Sequence, residues 1–85
     1  MYEIFTASTR IEKRLRKYLA IRTDIKEKLN RLKQNPRGSN DAHPLHGKLE
    51  GTWSCWLGSN LRILYNIDDD KKIITIEAVG SHKVY

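Results

Sequence analysis

The hydrophobic pattern of this chain changes its period once, and this change constrains the fold more than any other feature. From residue 9 to residue 34 the apolar side chains recur at helical spacing, in two stripes: Ile11, Leu15, Tyr18 and Leu19, then Ile25, Leu29 and Leu32. From residue 61 to residue 67 they alternate, with one face made of Leu61, Ile63, Tyr65 and Ile67. A helix with one apolar stripe and a strand with one apolar face must each bury that side. The pattern therefore predicts helices packed on a sheet.

Cap and turn residues set the expected helix boundaries. Thr9 and Glu12 match a capping box, in which the threonine accepts from a backbone N–H and the glutamate reaches back. Thr23 or Asp24 is suited to cap a second helix, and Pro36-Arg37-Gly38 lies just beyond its end. The two helices should form a hairpin.

Strands are expected on both sides of this hairpin, at residues 2–6, 53–57, 61–67 and 73–79. Residues 39–51 are loop-like, 58–60 carry a turn signal, and 68–72 form a polar hairpin loop. The order β-α-α-β-β-β predicts an α+β fold with a helical hairpin on a mainly antiparallel, four-stranded sheet. We expect a single domain, residues 1–85.

The net charge of +6 is concentrated in the first 36 residues, where four acids oppose ten bases: Arg10, Lys13, Arg14, Arg16, Lys17, Arg22, Lys26, Lys28, Arg31 and Lys33. The remaining residues carry six charges of each sign. A basic helical segment suits a polyanion or an acidic protein, although a solvated helical face has the same composition.

The single cysteine, Cys55, excludes an internal disulfide and a thiolate metal cluster. Apolar runs are too short to span a membrane, and the first residues lack the pattern of a signal peptide. We therefore expect a cytoplasmic protein with no membrane association. His43 and His46 flank a proline without an accompanying carboxylate pattern, so no metal or other cofactor is expected.

Three local motifs stand in a fixed order: His43-Pro44-Leu45-His46-Gly47-Lys48-Leu49-Glu50-Gly51-Thr52-Trp53-Ser54, then Leu61-Arg62-Ile63-Leu64-Tyr65, then Gly80-Ser81-His82-Lys83-Val84-Tyr85. Together with the order of elements, they resemble the RelE/ParE superfamily of bacterial toxins over nearly the whole chain. The resemblance implies the toxin of a type II toxin–antitoxin pair with an acidic cognate antitoxin. Most branches of the superfamily cut mRNA on the ribosome, whereas the ParE branch poisons DNA gyrase without this chemistry.

The resemblance implies four catalytic residues. His43 lies where relatives carry a proton-transfer residue, and His82 matches a second catalytic histidine. Arg62 matches an arginine that binds the phosphate, which a planar, permanently charged guanidinium suits. Tyr85 matches a terminal aromatic residue, but it follows His82 by three residues instead of four. Without the resemblance, the two histidines would be read as surface residues and Arg62 as one half of an ion pair.

Further residues are candidates for RNA contacts. Lys48 and His46 lie in the loop before a strand, and Trp56 is suited to stack on a base, although packing explains it equally well. Trp56 and Asn60 stand where one branch of the superfamily has histidine and aspartate. The resemblance therefore implies a site that combines features of several branches. On the first helix, ribosomal RNA phosphates could be bound by four cations: Arg10, Lys13, Arg14 and Lys17. Besides mRNA cleavage and gyrase inhibition, a third hypothesis is a non-toxic relative that only binds an antitoxin or RNA.

Overall fold

The computed structural model describes residues 1–58 and 60–81. Its elements follow in the order β1 (Glu3–Thr6), α1 (Thr9–Ile21), α2 (Asp24–Gln34), β2 (His43–Pro44), a short 3-10 helix (Gly47–Leu49), β3 (Trp53–Trp56), β4 (Arg62–Asp68) and β5 (Ile73–Gly80). The strands form one sheet in the order β1-β5-β4-β3-β2. β1 runs parallel to β5, and the other neighbours are antiparallel.

The predicted α+β fold is confirmed, with one strand more than expected. Residues 43–44 lie in the segment predicted as a loop, yet they pair with β3 as a two-residue edge strand. The sequence signal is weak there because Pro44 lacks a backbone donor and the strand is very short. Among the described residues, no helix is long and apolar enough to cross a bilayer.

The start of α1 differs from the predicted capping box by one residue. Ser8, in extended conformation, is the N-cap, and its hydroxyl accepts from the Ile11 amide at 3.3 Å. Thr9 is already the first helical residue. Serine is as good an N-cap as threonine, so the pattern located the helix start only to within one position. Thr23 caps α2 by position, without a side-chain hydrogen bond.

The core lies between the helical hairpin and one face of the sheet. The helices contribute Leu15, Ile25 and Leu32, which are buried. The sheet contributes alternating side chains of β3, β4 and β5: Cys55, Ile63, Tyr65, Ile74, Ile76 and Val79. Each fully buried aliphatic side chain stabilises the fold by about 1.5–3 kcal/mol, which fixes the hairpin on this face.

A β-bulge in β5 sets the register at the end of the sheet. Leu64 pairs with Ala78, whereas Tyr65 pairs with Ile76, so Glu77 is an extra residue in β5. Without it, Arg62 would oppose Val79; with it, Arg62 opposes Gly80. Val79 is thereby turned into the core, and Arg62 lies on the opposite face of the sheet. Bulges of this kind redirect side chains near functional sites.

Candidate functional site

The face of the sheet that is turned away from the helices carries the candidate site. Directly opposed residues share a face. One row of paired residues therefore consists of His43, Ser54, Leu64 and Ala78, and the next of Trp56, Arg62 and Gly80. These residues alternate with core residues of the same strands. We call His43, Ser54, Trp56, Arg62 and Leu64 the site face.

His43 is exposed at the edge of the site face. Its Nδ1 lies 3.2 Å from the carbonyl oxygen of Asp41. When Nδ1 carries the proton, it donates to that carbonyl, and Nε2 is left as the acceptor. In this tautomer Nε2 is able to accept a proton, as a general base must.

Arg62 is half-buried, and its guanidinium stacks on the indole of Trp56. The guanidinium carbon lies 4.1 Å from the ring centroid. The two residues are also cross-strand partners in β3 and β4. Stacking engages the face of the guanidinium, whereas its hydrogen bonds are made in the plane. Trp56 thus fixes the orientation of the group that is suited to bind a phosphate.

His43 and Arg62 are two strands apart and one row apart on the site face. With strands ~4.8 Å apart and ~3.4 Å per residue, their Cα atoms are separated by roughly 12 Å. Ser54 and Leu64, which lie between them in the two rows, are buried. The structure therefore places His43 on the same face of the sheet as Arg62 and Trp56, and of these three residues it brings Arg62 and Trp56 into contact.

Other predicted contacts lie elsewhere. His46 and Lys48 are exposed in the loop that connects β2 to β3. This loop joins β3 at Trp53, which is the opposite end of the strand from Trp56. The four cations of α1, Arg10, Lys13, Arg14 and Lys17, are exposed on the helical layer. That layer packs on the opposite side of the sheet from His43 and Arg62. The RNA contacts predicted in the loop, His46 and Lys48, are thus separate from those predicted on α1.

His82 and Tyr85 lie outside the described residues. Gly80, two residues before His82 in the sequence, is the cross-strand partner of Arg62. The catalytic roles of His82 and Tyr85 stay predictions.

One important residue, Asn40, was missed by the sequence analysis. The side-chain Nδ2 of Asn40 donates to the main-chain carbonyl of Lys28 at 2.8 Å, and the main-chain carbonyl of Asn40 accepts from the Trp56 amide at 2.9 Å. It joins α2 to the strand that carries Trp56. Its φ of 56° and that of Asp41, also 56°, lie in the left-handed region, which Asn and Asp tolerate better than most residues. The adjacent Asn-Asp pair was the available signal.

Cys55 is not a nucleophile in this fold. The thiol is buried in the core, and burial raises its pKa to about 12. Nucleophilic attack requires the thiolate, which is then scarce near neutral pH. Within residues 1–58 and 60–81, no three His, Cys, Asp or Glu side chains come together as metal ligands would.

The profile of the ParE toxin of the type II toxin–antitoxin system parDE matches residues 8–84. The chain therefore belongs to this family, within the RelE/ParE superfamily of toxins. No curated protein sequence matches it significantly.

Solved structures share the fold at low identity. The YoeB–YefM complex from Staphylococcus aureus matches at 19% identity and a TM-score of 0.73, covering 96% of this chain and 98% of the other. The toxin–antitoxin complex RelBE2 from Mycobacterium tuberculosis matches at 25% identity and a TM-score of 0.72, covering 95% and 98%. YafQ from Escherichia coli matches at 17% identity and a TM-score of 0.66, covering 96% and 94%.

Proposed function

We propose that this toxin is an endoribonuclease that cuts mRNA on the ribosome and so inhibits translation. The observation that carries the proposal is the position of His43 and Arg62 on one face of the sheet, with Trp56 stacked on the arginine. A proton acceptor and a cation at opposite sides of one nucleotide are what transfer within an RNA phosphodiester requires.

In the proposed reaction, the ribose 2′-OH attacks the adjacent phosphorus. His43 takes the proton from the 2′-OH, and Arg62 stabilises the negative charge that builds on the phosphorane oxygens. His82 donates a proton to the leaving 5′-oxygen, and Tyr85 stacks on a base or assists proton transfer. The products are a 2′,3′-cyclic phosphate and a 5′-hydroxyl, so this step consumes no water. In this proposal the side chains perform the step without a metal.

The helical layer would serve a different contact from the site face. The α1 cations Arg10, Lys13, Arg14 and Lys17 are exposed, and exposed cations suit contacts with the phosphates of ribosomal RNA that do not depend on sequence. Lys48 and His46 would contact the RNA from the loop after β2. Since the two surfaces lie on opposite layers, the toxin would bridge ribosome and message.

A cognate antitoxin is the second proposed partner. RelBE2 is described as a toxin–antitoxin complex, and so is a second, heterotetrameric YoeB–YefM structure from Staphylococcus aureus. The excess of positive charge on the helices of this chain favours an acidic partner. Because α1 and α2 supply core residues, the test changes only exposed cations of α1. Arg10→Glu, Lys13→Glu, Arg14→Glu and Lys17→Glu together should weaken co-purification with the product of a neighbouring small acidic reading frame, while the variant still folds.

A second candidate function is inhibition of DNA gyrase without RNA chemistry. The observation that favours it is the match to the ParE toxin profile over residues 8–84. This function would require neither His43 nor Arg62.

Expression of the toxin in bacteria separates the two candidates. The endoribonuclease predicts rapid cleavage of mRNA, intact chromosomal DNA, and loss of growth arrest in His82→Ala while the variant still folds. Growth arrest by His82→Ala equal to that of the wild type would refute the role of His82. Intact mRNA with induced DNA damage would select gyrase inhibition.

A further inference from the structure

A polar crevice of about 490 Å³ lies beside the site face, at the end of β3 that carries Trp56. It is lined by Lys28, Asn40, Asp41, Trp56, Gly58 and Asn60. Its size is within the range of roughly 300–1,000 Å³ that small-molecule sites occupy. None of the proposed catalytic residues lines it, so the crevice is distinct from the groups that perform the reaction.

The walls of this crevice are held in place before any ligand arrives. Asn40 is tied to the α2 backbone at Lys28 and to the β3 backbone at Trp56, by hydrogen bonds of 2.8 Å and 2.9 Å. On the far side, the Leu61 amide donates to the Gly58 carbonyl at 3.3 Å. Preformed walls reduce the ordering cost of binding.

The crevice combines an aromatic ring with polar groups of both kinds. Among the lining residues, Trp56 carries an indole, Asp41 a carboxylate that can accept, and Asn60 an amide that can both accept and donate. Lys28 adds a positive charge. An aromatic surface with polar groups around it is how proteins hold an unstacked base by its face and its Watson–Crick edge.

We propose that the crevice is a subsite for a guanine base of single-stranded RNA. Among the four RNA bases, only guanine presents two adjacent N–H donors, N1–H and N2–H, to one carboxylate. Asp41 accepts these two hydrogen bonds, and the Asn60 amide donates to O6. The base stacks on Trp56, and Lys28 attracts the phosphate.

The location of the crevice connects it with the proposed chemistry. The carbonyl of Asp41 lies 3.2 Å from Nδ1 of His43, and Trp56 stacks with Arg62 at 4.1 Å. A base held between Asp41 and Trp56 is therefore next to the ribose and phosphate that His43 and Arg62 approach. This inference rests on the proposed endoribonuclease function and adds a base preference at the cut.

Binding of mononucleotides to the full chain tests the subsite without any need for cleavage. Titration of the ¹⁵N-labelled protein with GMP should shift the Trp56 indole N–H and the Asn60 side-chain amide. AMP, CMP and UMP should bind at least fivefold more weakly. Equal binding of all four nucleotides, or GMP binding that leaves Trp56 unshifted, would overturn the proposal.

Two variants and one control assign the preference to residues. Asp41→Asn keeps the shape and tolerates the left-handed backbone, and it should lose at least fivefold in GMP affinity with AMP affinity unchanged. Asn60→Gly, which suits the φ of 61° at that position, provides a second test if Asp41→Asn does not fold. Asp70→Asn makes the same chemical change in the exposed hairpin between β4 and β5, at the other end of the sheet, and should bind as the wild type.

Cleavage sites in mRNA then separate the two proposals. Wild-type cuts next to guanine, with relaxed base preference in Asp41→Asn, support both. GMP-specific binding with intact mRNA removes the endoribonuclease but leaves a guanine site. Cleavage without any guanine preference removes the subsite alone.

Discussion

Arg62 and Trp56 face each other across β3 and β4, with the guanidinium carbon 4.1 Å from the centroid of the indole. A cation–π contact in a partly desolvated position is worth about 1–2 kcal/mol, which corresponds to a rate effect of up to about thirtyfold. We therefore expect Trp56→Ala to lower the rate of RNA cleavage about tenfold, because Arg62 loses its fixed orientation.

Trp53 provides the matched control for this prediction. Its ring packs against the core instead of the site face. Trp53→Phe should lower the free energy of unfolding while leaving the cleavage rate per folded molecule unchanged. If Trp56→Ala cleaves as fast as the wild type, the stacking does not position Arg62.

The stability of the fold should fall at acid pH partly because of Asp69. Arg37 donates to both oxygens of Asp69, at 3.0 and 2.8 Å, and the Tyr2 hydroxyl donates to it at 2.6 Å. The bond from Arg37, and then that from Tyr2, lower the pKa of Asp69 from its ordinary 3.8 to about 2. Because the folded pKa lies below the unfolded one, Asp69 stabilises the protein above pH 4, and this contribution is lost as the pH falls towards 2.

Urea unfolding at several pH values measures this contribution. Asp69→Asn should be less stable than the wild type at pH 7, and the difference should shrink steadily between pH 4 and pH 2. A difference that is constant over this interval would mean that the charge of Asp69 does not contribute. Asp70→Asn, in the same hairpin, is the control.

The thiol of Cys55 should be inert in the folded protein. Burial raises its pKa to about 12, so the thiolate is scarce at pH 8. We expect an aromatic disulfide reagent to label Cys55 only at the rate of unfolding, and immediately in denaturant. Rapid labelling of the native protein at pH 8 would contradict the buried position of this side chain.

The buried hydroxyl of Tyr65 connects β4 to the segment after α2. It donates to the Pro36 carbonyl at 2.6 Å, and burial raises the pKa of the phenol above its usual range. Tyr65→Phe leaves that carbonyl without its donor, so we expect a loss of about 1–2 kcal/mol in the free energy of unfolding. Thermal and urea unfolding measure it, and an unchanged stability would mean that solvent replaces the bond.

The sequence predicted the elements that have a strong period and missed those set by tertiary contacts. The apolar stripes of both helices and the alternation in β4 were sufficient to predict these elements, because each element must bury one face. The edge strand at His43 and Pro44 was not predictable, since it exists only through pairing with Ser54 and Trp53 of β3.

The candidate site was predictable only in part. Motif resemblance named His43 and Arg62, but their common face depends on sheet register and on the bulge at Glu77. The role of Asn40 depends on contacts with Lys28 and Trp56, which are distant in the chain. No local pattern contains such relationships.

The central claim is that His43 and Arg62 direct the RNA's own 2′-OH against its phosphate. Primer extension on mRNA after induction, combined with analysis of the cut ends, tests it most directly. The account predicts 2′,3′-cyclic phosphate and 5′-hydroxyl ends in cells that express the wild type, and no such cuts with His43→Ala or Arg62→Gln. Cuts that bear 5′-phosphates, or cleavage unchanged in both variants, would contradict it.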